Sequence, residues 1–364
     1  MRDIRIRFFM VFCVLLALGT VMIYSSSAIY AQEVMKNSSH FLNRHLMFML
    51  IGSVMMWIAM IVDYRDLQKH ARLILVAAVV LLVLVLVPGI GKISSGARRW
   101  FSLGPINFQP SEFAKIALIL YMADFLTRRQ EFLRSFKKGF LPVMIVTGLL
   151  CGLIIKQPDM GNTVLVFTIA LMMLCLAGGK KAHLLGIFLM ALPVAAALVI
   201  SAPYRLRRVV AFLDPWSDPL GAGFQLSQSQ IALGSGGLWG VGLGKSVQKL
   251  FYLPAAHTDF IFAIIGEELG FLGVMTVIIL FTLFIWYGTR IIRNTHEPFG
   301  YYICLGIMIM ISIQVLVNFG VSIGALPTKG LPLPFISYGG SALIFNMTIV
   351  GLVLNVSRAQ DLGG

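Results

Sequence analysis

The chain has 364 residues, of which 58% are hydrophobic and only 12% charged, and its formal net charge is +14. Soluble domains are about 45–50% apolar and about 25% charged, so this composition excludes a soluble enzyme, a disordered chain and a disulfide-stabilised scaffold. The sequence predicts an integral membrane protein whose basic residues, set between apolar runs, reflect membrane topology and not nucleic-acid binding.

Ten apolar runs are long enough to cross a bilayer as helices, which takes roughly 17–25 residues each. The first run is too long for the apolar part of a secretory signal and lacks a convincing cleavage site, so we interpret it as a retained span. We expect residues 1–364 to form one all-α integral membrane domain. The predicted spans lie near residues 8–30, 43–62, 72–88, 111–127, 139–155, 160–178, 184–201, 260–288, 299–323 and 338–356.

The distribution of basic residues predicts the orientation of these spans. Ten spans put both termini on one side, and with the termini inside, sixteen Lys and Arg residues fall in the inner segments. The outer segments hold twelve, of which five lie in the long loop 202–258, and long loops count little in the positive-inside rule. Both termini are therefore predicted to be cytoplasmic.

The irregular sequence gathers on the predicted outer side, in loops near 89–110, 202–258 and Gly324–Gly340. The longest of them joins the seventh and eighth spans, and the last contains three prolines and four glycines, which excludes regular helix. Irregular backbone at membrane depth persists only where it is buried in protein or lines a wet cavity. We expect the working face of the protein to be outside.

The outer segments carry an excess of positive charge that topology does not explain. Outer basic residues exceed outer acids by seven, although the positive-inside rule works against positive charge there. An anionic partner explains the excess, and a lipid pyrophosphate headgroup fits a membrane surface; a solvated basic loop without a ligand is the alternative. The basic residues, with one tryptophan beside them, are Arg98, Arg99, Trp100, Lys156, Arg205, Arg207, Arg208, Lys245, Lys249 and Lys329.

Two short segments before and within the fourth span are candidates for substrate binding. Arg99 can hold phosphate oxygens bidentately, and the indole of Trp100 can lie against a sugar face or anchor the loop at the membrane interface. Glu112 and Lys115 stand three residues apart and share one helix face, where charged groups inside a span usually pair or face a cavity. This pair is either structural or directs Lys115 toward phosphate.

Two further outer segments have simpler interpretations. Gln157-Pro158-Asp159 is a short turn before the sixth span, and Asp159 is better placed to cap that helix than to act in catalysis. The stretch Gly240–Ser246 is similar to a P-loop, but Trp239 stands where the first glycine is required. We therefore exclude nucleotide binding and interpret these glycines as allowing close backbone packing, with Lys245 as a possible contact for an anion.

Asp259 is the strongest candidate for a catalytic residue. It ends the long outer loop where the eighth span begins, and partial desolvation there would raise its pKa toward the range of a general base. A helix-capping carboxylate is the alternative. Glu267 and Glu268 lie deeper in the eighth span, where they support a site or mark an ion path in a transporter.

The sequence contains no H-E-x-x-H or G-x-S-x-G motif and no cluster of metal ligands, which argues against a zinc peptidase or a serine esterase. A single carboxylate beside basic groups suits a displacement whose donor already carries a pyrophosphate leaving group, with no need for ATP. No cofactor is required by the sequence, although a divalent cation can assist the departure of pyrophosphate.

The motifs together resemble the SEDS (shape, elongation, division and sporulation) family over about residues 20–358. The match to the division branch is better than that to the elongation branch, because of Gln248–Pro254 and Leu326–Gly330. The segments that carry the family resemblance are Ser25–Ser27, Gly96–Phe101, Gln109–Lys115, Gln157–Gly161, His257–Phe262, Gly266–Gly270 and Pro332–Gly340.

The resemblance implies a ten-span peptidoglycan glycosyltransferase that polymerises lipid II at the outer face of the bacterial inner membrane, at the division septum. The family's catalytic acid falls on Asp259. We assign substrate binding to six further residues: Arg99, Trp100, Glu112, Lys115, Lys245 and His257. We assign a supporting role in the site to five others: Gln157, Asp159, Glu267, Glu268 and Ser337.

The implied partners are lipid II, the lipid-linked glycan strand, a class B penicillin-binding protein with transpeptidase activity, and other membrane proteins of the division machinery. Three other functions remain open at this point: a lipid II flippase, an elongation enzyme of the same family, and a non-enzymatic scaffold. The concentration of Pro, Gly and basic residues at the outer end favours a transferase over a transporter, which needs polar groups through the whole bilayer.

Overall fold

The computed structural model describes residues 1–94, 96–104, 106–250, 252–254 and 256–362. Most of these residues are helical. The α-helices are α1 Arg2–Met35, α2 His40–Ile61, α3 Tyr64–Leu84, α4 Pro110–Arg128, α5 Leu141–Lys156, α6 Met160–Leu176, α7 Lys181–Ile200, α8 Pro203–Leu213, α9 Phe224–Ser235, α10 Ile261–Arg293, α11 Pro298–Ser322 and α12 Gly340–Leu362.

Eight helices in the described part of the chain are long and apolar enough to cross a membrane. They correspond to α1, α2, α3, α5 with the turn before it, α7, α10, α11 and α12. The two other predicted spans coincide with α4, which carries four charged residues, and with α6, which has only 17 residues. The protein is thus a multi-pass membrane protein, and the count of ten spans remains a prediction.

The expectation of an all-α fold is incomplete, because the loop 89–110 contains a small antiparallel sheet. Its strands are β1 Lys92–Ser94, β2 Ala97–Leu103 and β3 Ile106–Phe108, in the order β1-β2-β3. Phe101 pairs with Phe108 across β2 and β3, and their rings stack at 6.2 Å. The loop 202–258 is also more regular than predicted, since it contains α8 and α9.

The two ends of the chain meet on one side of the bundle. Arg5 forms a salt bridge with Asp361 at 2.7 Å, and the N-terminal amino group lies 3.8 Å from the same carboxylate. Because α1 begins and α12 ends at this side, both termini lie on one face of the bundle, as the predicted topology requires.

Helix α10 is interrupted at Gly270, and the glycine-rich loop after α9 donates hydrogen bonds to the helix carbonyls that the interruption leaves free. Gly270 has φ 65° and ψ −163°, a conformation that side chains with a Cβ rarely adopt. The freed carbonyls of Glu267 and Glu268 each accept a hydrogen bond at 3.0 Å, from the amides of Val241 and Gly242 respectively. The glycines of the P-loop-like stretch Gly240–Ser246 therefore allow this loop to pack closely against α10.

Candidate active site

The predicted outer loops meet around one cavity of about 760 Å³. Its walls come from strand β2, the turn between α5 and α6, helix α8, the residues before α10 and the loop after α11. Six charged residues line it: Arg99, Asp159, Arg205, Arg208, Asp259 and Lys329. Segments that are more than 200 residues apart in sequence thus contribute to a single cavity with charged side chains in its walls, at the end of the helix bundle.

Asp259 lies on the wall of this cavity, one residue before the N-cap of α10. Its backbone carbonyl accepts a hydrogen bond of 2.9 Å from the side-chain amide of Asn318 on α11. The same amide nitrogen donates to the carbonyl of Leu331, also at 2.9 Å. Asn318 therefore holds the segment with Asp259 against the loop that carries Lys329, and this loop leaves room for the carboxylate because residue 330 is glycine.

Ser337 makes a second connection between the same two segments. Its hydroxyl donates to the carbonyl of Thr258 at 2.5 Å and accepts from the amide of Leu333 at 2.8 Å. The amide of Tyr338 donates to the carbonyl of His257 at 2.9 Å. Irregular backbone near the membrane needs such internal partners because lipid supplies none, so the loop after α11 acts as a rigid support for Asp259.

The surroundings of Asp259 change its acidity. Burial raises the pKa of its carboxyl to about 6; the positive charge of Arg208 opposes this rise, and the negative charge of Asp159 adds to it. The carboxylate is thus ionised at neutral pH yet basic enough to accept a proton, and it remains open to the cavity. These properties are those of a general base.

Three basic cavity residues were not among the predicted site residues, namely Arg205, Arg208 and Lys329. Arg208 lies on α8 on the same face as Tyr204 and Arg205, which also line the cavity. Lys329 is half-buried, and burial lowers the pKa of its ammonium group. The excess of outer basic residues was the sequence signal for all three, but their proximity to Asp259 depends on how the loops fold.

Arg99 and Asp159 line the cavity where the small sheet meets the turn before α6, and Gln157 lies in that turn. The guanidinium of Arg99 donates to the carbonyls of Gln157 at 2.8 Å and Pro158 at 2.6 Å, which joins the small sheet to the turn before α6. The carboxylate of Asp159 accepts from the amide of Asn162 at 3.1 Å and caps α6, as predicted. Gln157 is buried and donates to the carbonyl of Leu82 at 3.3 Å, so it supports this part of the cavity wall without facing the cavity.

Five of the six predicted substrate-binding residues do not line this cavity, and Trp100, Glu112 and Lys115 are three of them. Glu112 and Lys115 form a buried salt bridge of 2.8 Å, and the lysine side chain is only 1% exposed. This geometry fits the structural interpretation of the pair, because the ammonium group already has an anionic partner. Trp100 is on β2 and is not among the described residues that line the cavity. Binding roles for these three residues remain predictions.

The two glutamates of α10 anchor the loop 245–250. Glu267 accepts hydrogen bonds from the hydroxyl of Ser246 and from the amide of Val247, the latter at 2.8 Å. Glu268 is fully buried and forms a salt bridge of 2.7 Å with Lys249. These contacts hold the loop against α10, whereas the side chain of Lys245 is exposed and does not line the cavity.

His257 packs in an aromatic cluster beside the segment that carries Asp259. Its ring lies 4.6 Å from that of Phe41, 5.8 Å from that of Tyr338 and 6.0 Å from that of Tyr30. Burial lowers the pKa of His257 to about 4, so the imidazole is neutral at physiological pH. We therefore expect His257 to contribute contact area and backbone position and not positive charge.

Among the described residues, no three His, Cys, Asp or Glu side chains come together in an arrangement that would hold a metal ion. Asp159 and Asp259 are the two carboxylates on the cavity wall. A divalent cation there would have to take most of its ligands from substrate phosphates and water.

Sequence comparisons identify relatives along nearly the whole chain. Residues 5–362 match the model of the FtsW/RodA/SpoVE family, whose members are described as cell cycle proteins. The chain is 46% identical over 344 residues to a probable peptidoglycan glycosyltransferase FtsW of Geobacter sp. (strain M18), with 94% of each chain covered. It is 44% identical over 344 residues to stage V sporulation protein E of Bacillus subtilis (strain 168), again with 94% of each chain covered.

Solved structures share the fold. A chain described under the structural coordination of polymerization and crosslinking by a peptidoglycan synthase complex superposes with a TM-score of 0.80 at 31% identity, with 97% of each chain covered. The rod shape determining protein RodA of Thermus thermophilus superposes with a TM-score of 0.73 at 29% identity, covering 97% of this chain and 96% of that one. These matches confirm the resemblance that the motifs indicated: the chain belongs to the FtsW/RodA/SpoVE family of cell cycle proteins.

Proposed function

We propose that this protein is a peptidoglycan glycosyltransferase that polymerises lipid II into glycan strands during septal cell-wall synthesis. Relatives named peptidoglycan glycosyltransferase FtsW, at 40–46% identity, support the enzyme class and the division role. The observation that carries the reaction is the position of Asp259, a carboxylate with raised pKa on the wall of a cavity that four basic residues also line.

The proposed reaction is an inverting displacement. The carboxylate of Asp259 removes the proton from a sugar hydroxyl of an incoming lipid II. The resulting oxygen attacks the anomeric carbon of the lipid-linked growing strand from the face opposite its pyrophosphate, which converts an α-linkage to a β-linkage. The bond from the anomeric carbon to the pyrophosphate oxygen breaks, and undecaprenyl pyrophosphate leaves with the bonding electrons.

The basic residues of the cavity complement the charge that develops on the leaving group. Arg208 and Lys329 line the same cavity as Asp259 and make no salt bridge within the described residues. Preorganised positive charge in a partly dehydrated site is often the largest contribution to catalysis. Arg99 also faces the cavity, although its guanidinium already donates to two carbonyls. A divalent cation bound to the pyrophosphate would add to this charge.

The cellular setting and the partner belong to the same proposal. We place the protein in the bacterial inner membrane with ten spans, cytoplasmic termini and the cavity at the outer face, where lipid II is consumed. A class B penicillin-binding protein is the proposed partner, because the superposed chain belongs to a complex described as coordinating polymerization and crosslinking.

Replacement of Asp259 by asparagine tests the proposed function. Purified Asp259→Asn in liposomes with lipid II should make no glycan polymer, while keeping the wild-type elution volume and melting temperature. Asp214→Asn is the matched control, because Asp214 is an exposed carboxylate in the same outer loop and does not line the cavity. Polymer formation by Asp259→Asn at the wild-type rate would refute the assignment. If the wild-type protein flips lipid II in these liposomes and Asp259→Asn does not, the result would favour a transporter instead.

A further inference from the structure

The connection between α4 and α5 forms a compact structure at the inner end of the bundle. It contains a 3₁₀ turn at Gln130–Phe132 and a π turn at Phe136–Phe140. The amides of Gly139 and Phe140 both donate to the carbonyl of Ser135, at 3.0 and 3.1 Å. The backbone of Gly139 packs so closely on the carbonyl of Phe132 that a side chain would not fit there.

This turn is joined to the first turn of α7 through aromatic contacts. The imidazole of His183 lies 5.3 Å from the ring of Phe136 and 5.6 Å from that of Phe140, and the two phenyl rings stack at 5.7 Å. Lys180 and Lys181 at the start of α7 are thereby brought beside the basic residues of the α4–α5 turn.

Six exposed basic side chains form this surface, which we call the inner basic surface: Arg129, Arg134, Lys137, Lys138, Lys180 and Lys181. None of the six makes a salt bridge within the described residues, and Glu131 is the one acid in the α4–α5 turn. Three other basic residues at this end of the bundle do have acidic partners: Arg5 pairs with Asp361, Arg65 with Asp63 and Lys69 with Asp66. The inner basic surface thus gathers six basic side chains without a salt bridge in two short segments of the chain.

The inner basic surface borders an apolar surface that faces lipid. Phe132 and Phe136 are 39% and 48% exposed, and the ammonium group of Lys138 lies 5.2 Å from the centre of the Phe132 ring. Helix α7, which starts at this surface, has no buried residue along its apolar length. Exposed aromatic rings next to basic side chains, at the end of a lipid-facing helix, are typical of the level where acyl chains meet headgroups.

We propose that the inner basic surface binds the headgroups of anionic phospholipids in the inner leaflet. Clusters of four to eight Lys and Arg residues next to the cytoplasmic end of a membrane helix attract anionic lipids. The exposed phenyl rings and the lipid-facing α7 favour a lipid over an acidic protein segment, because both continue the surface into the hydrocarbon layer. The positive-inside rule requires basic residues on this side but does not explain why six of them gather around one aromatic turn that has a single acid, Glu131.

Electron spin resonance with spin-labelled lipids tests this proposal on the full-length protein. We expect spin-labelled phosphatidylglycerol to associate with the reconstituted protein more strongly than spin-labelled phosphatidylcholine, and the preference to fall as salt is raised. The variant K137Q/K138Q/K180Q/K181Q should reduce the preference at least about fivefold, since each basic residue near the surface contributes several-fold to binding. The double variants K137Q/K138Q and K180Q/K181Q should each give an intermediate value, which guards against misfolding of the quadruple variant.

A variant of equal charge serves as the control. R65Q/K69Q/R290Q/R293Q removes four exposed basic residues from the same end of the bundle but leaves the inner basic surface intact, so the lipid preference should be retained. An unchanged preference in the first quadruple variant would overturn the proposal, as would equal losses in both, which would indicate an effect of net charge alone. The lipid preference is measured in the same way for both quadruple variants, and this measurement does not depend on polymerase activity.

Discussion

The side-chain amide of Asn318 donates a hydrogen bond of 2.9 Å to the backbone carbonyl of Asp259, 59 positions earlier in the chain. Asn318 is 2% exposed and also donates to the carbonyl of Leu331 at 2.9 Å. One buried side chain thus sets the distance between the proposed base and the loop with Lys329. Nothing in the sequence of α11 marks this residue, because its role depends on two loops that pack on either side of it.

Replacing Asn318 by leucine, which has a similar shape, should impair turnover more than substrate binding. Without the amide, the carbonyls of Asp259 and Leu331 lose their donor, and a base displaced by 1 Å can cost about 100-fold in rate. We expect kcat for lipid II polymerisation to fall by up to about 100-fold with little change in KM. Gln314→Leu is the control, since Gln314 is similarly buried on the same helix and its side-chain oxygen has no hydrogen-bond partner in the described part of the chain. Equal losses in both variants would contradict the role of Asn318.

Polymerisation should depend on pH through Asp259. A general base acts only when it is deprotonated, and its pKa of about 6 places the loss of activity on the acidic side. Activity should therefore be full well above pH 6 and fall about tenfold per pH unit well below it. The measurement is kcat/KM for lipid II between pH 4.5 and 8. A profile that is flat across pH 6 would contradict the assignment.

Variants of the two charged neighbours should move this profile in opposite directions. The negative charge of Asp159 raises the pKa of Asp259, so Asp159→Asn should shift the acidic limb to lower pH. Asparagine is also a good N-cap, so α6 should retain its start. The positive charge of Arg208 lowers the pKa of Asp259, so Arg208→Gln should shift the limb to higher pH. Shifts in the same direction would show that the charges do not act through Asp259.

Loss of positive charge on the cavity wall should slow the chemical step. Removing one group that stabilises developing negative charge costs about 10²–10³ in kcat in well-studied enzymes, and we expect Lys329→Gln and Arg208→Gln to approach this range. Arg207→Gln is the matched control for Arg208, because Arg207 is exposed, lies next to it on α8 and does not line the cavity. Initial rates of glycan polymerisation at saturating lipid II are the measurement. Full activity in Arg208→Gln and Lys329→Gln would remove both residues from the mechanism.

The buried pair of Lys249 and Glu268 should be sensitive to the loss of one partner. Breaking a buried salt bridge from one side leaves an uncompensated charge and typically costs about 3–5 kcal/mol. Lys249→Met should therefore lower the melting temperature in detergent clearly, and the double change K249M/E268Q should restore part of it. If the double variant is no more stable than the single one, the two side chains do not form an energetic unit.

The order of the apolar runs, the helical character of the chain and the family motifs followed from the sequence, as did the hypothesis that Asp259 is the base. They depend on local composition and on residues close together in the chain. The capping role of Asp159 was predicted for the same reason, since a cap acts within one helical turn.

Tertiary structure decided which charged residues surround Asp259. Arg208 and Lys329 are 51 and 70 positions away from it in sequence, and they reach the cavity only because α8 and the loop after α11 fold over the end of the bundle. The pairing of Lys115 with Glu112 inside α4, the three short strands around Trp100 and the break at Gly270 were likewise settled by packing. Helix formation depends on neighbours in sequence, whereas a site built from loops depends on contacts between distant segments, which periodicity does not encode.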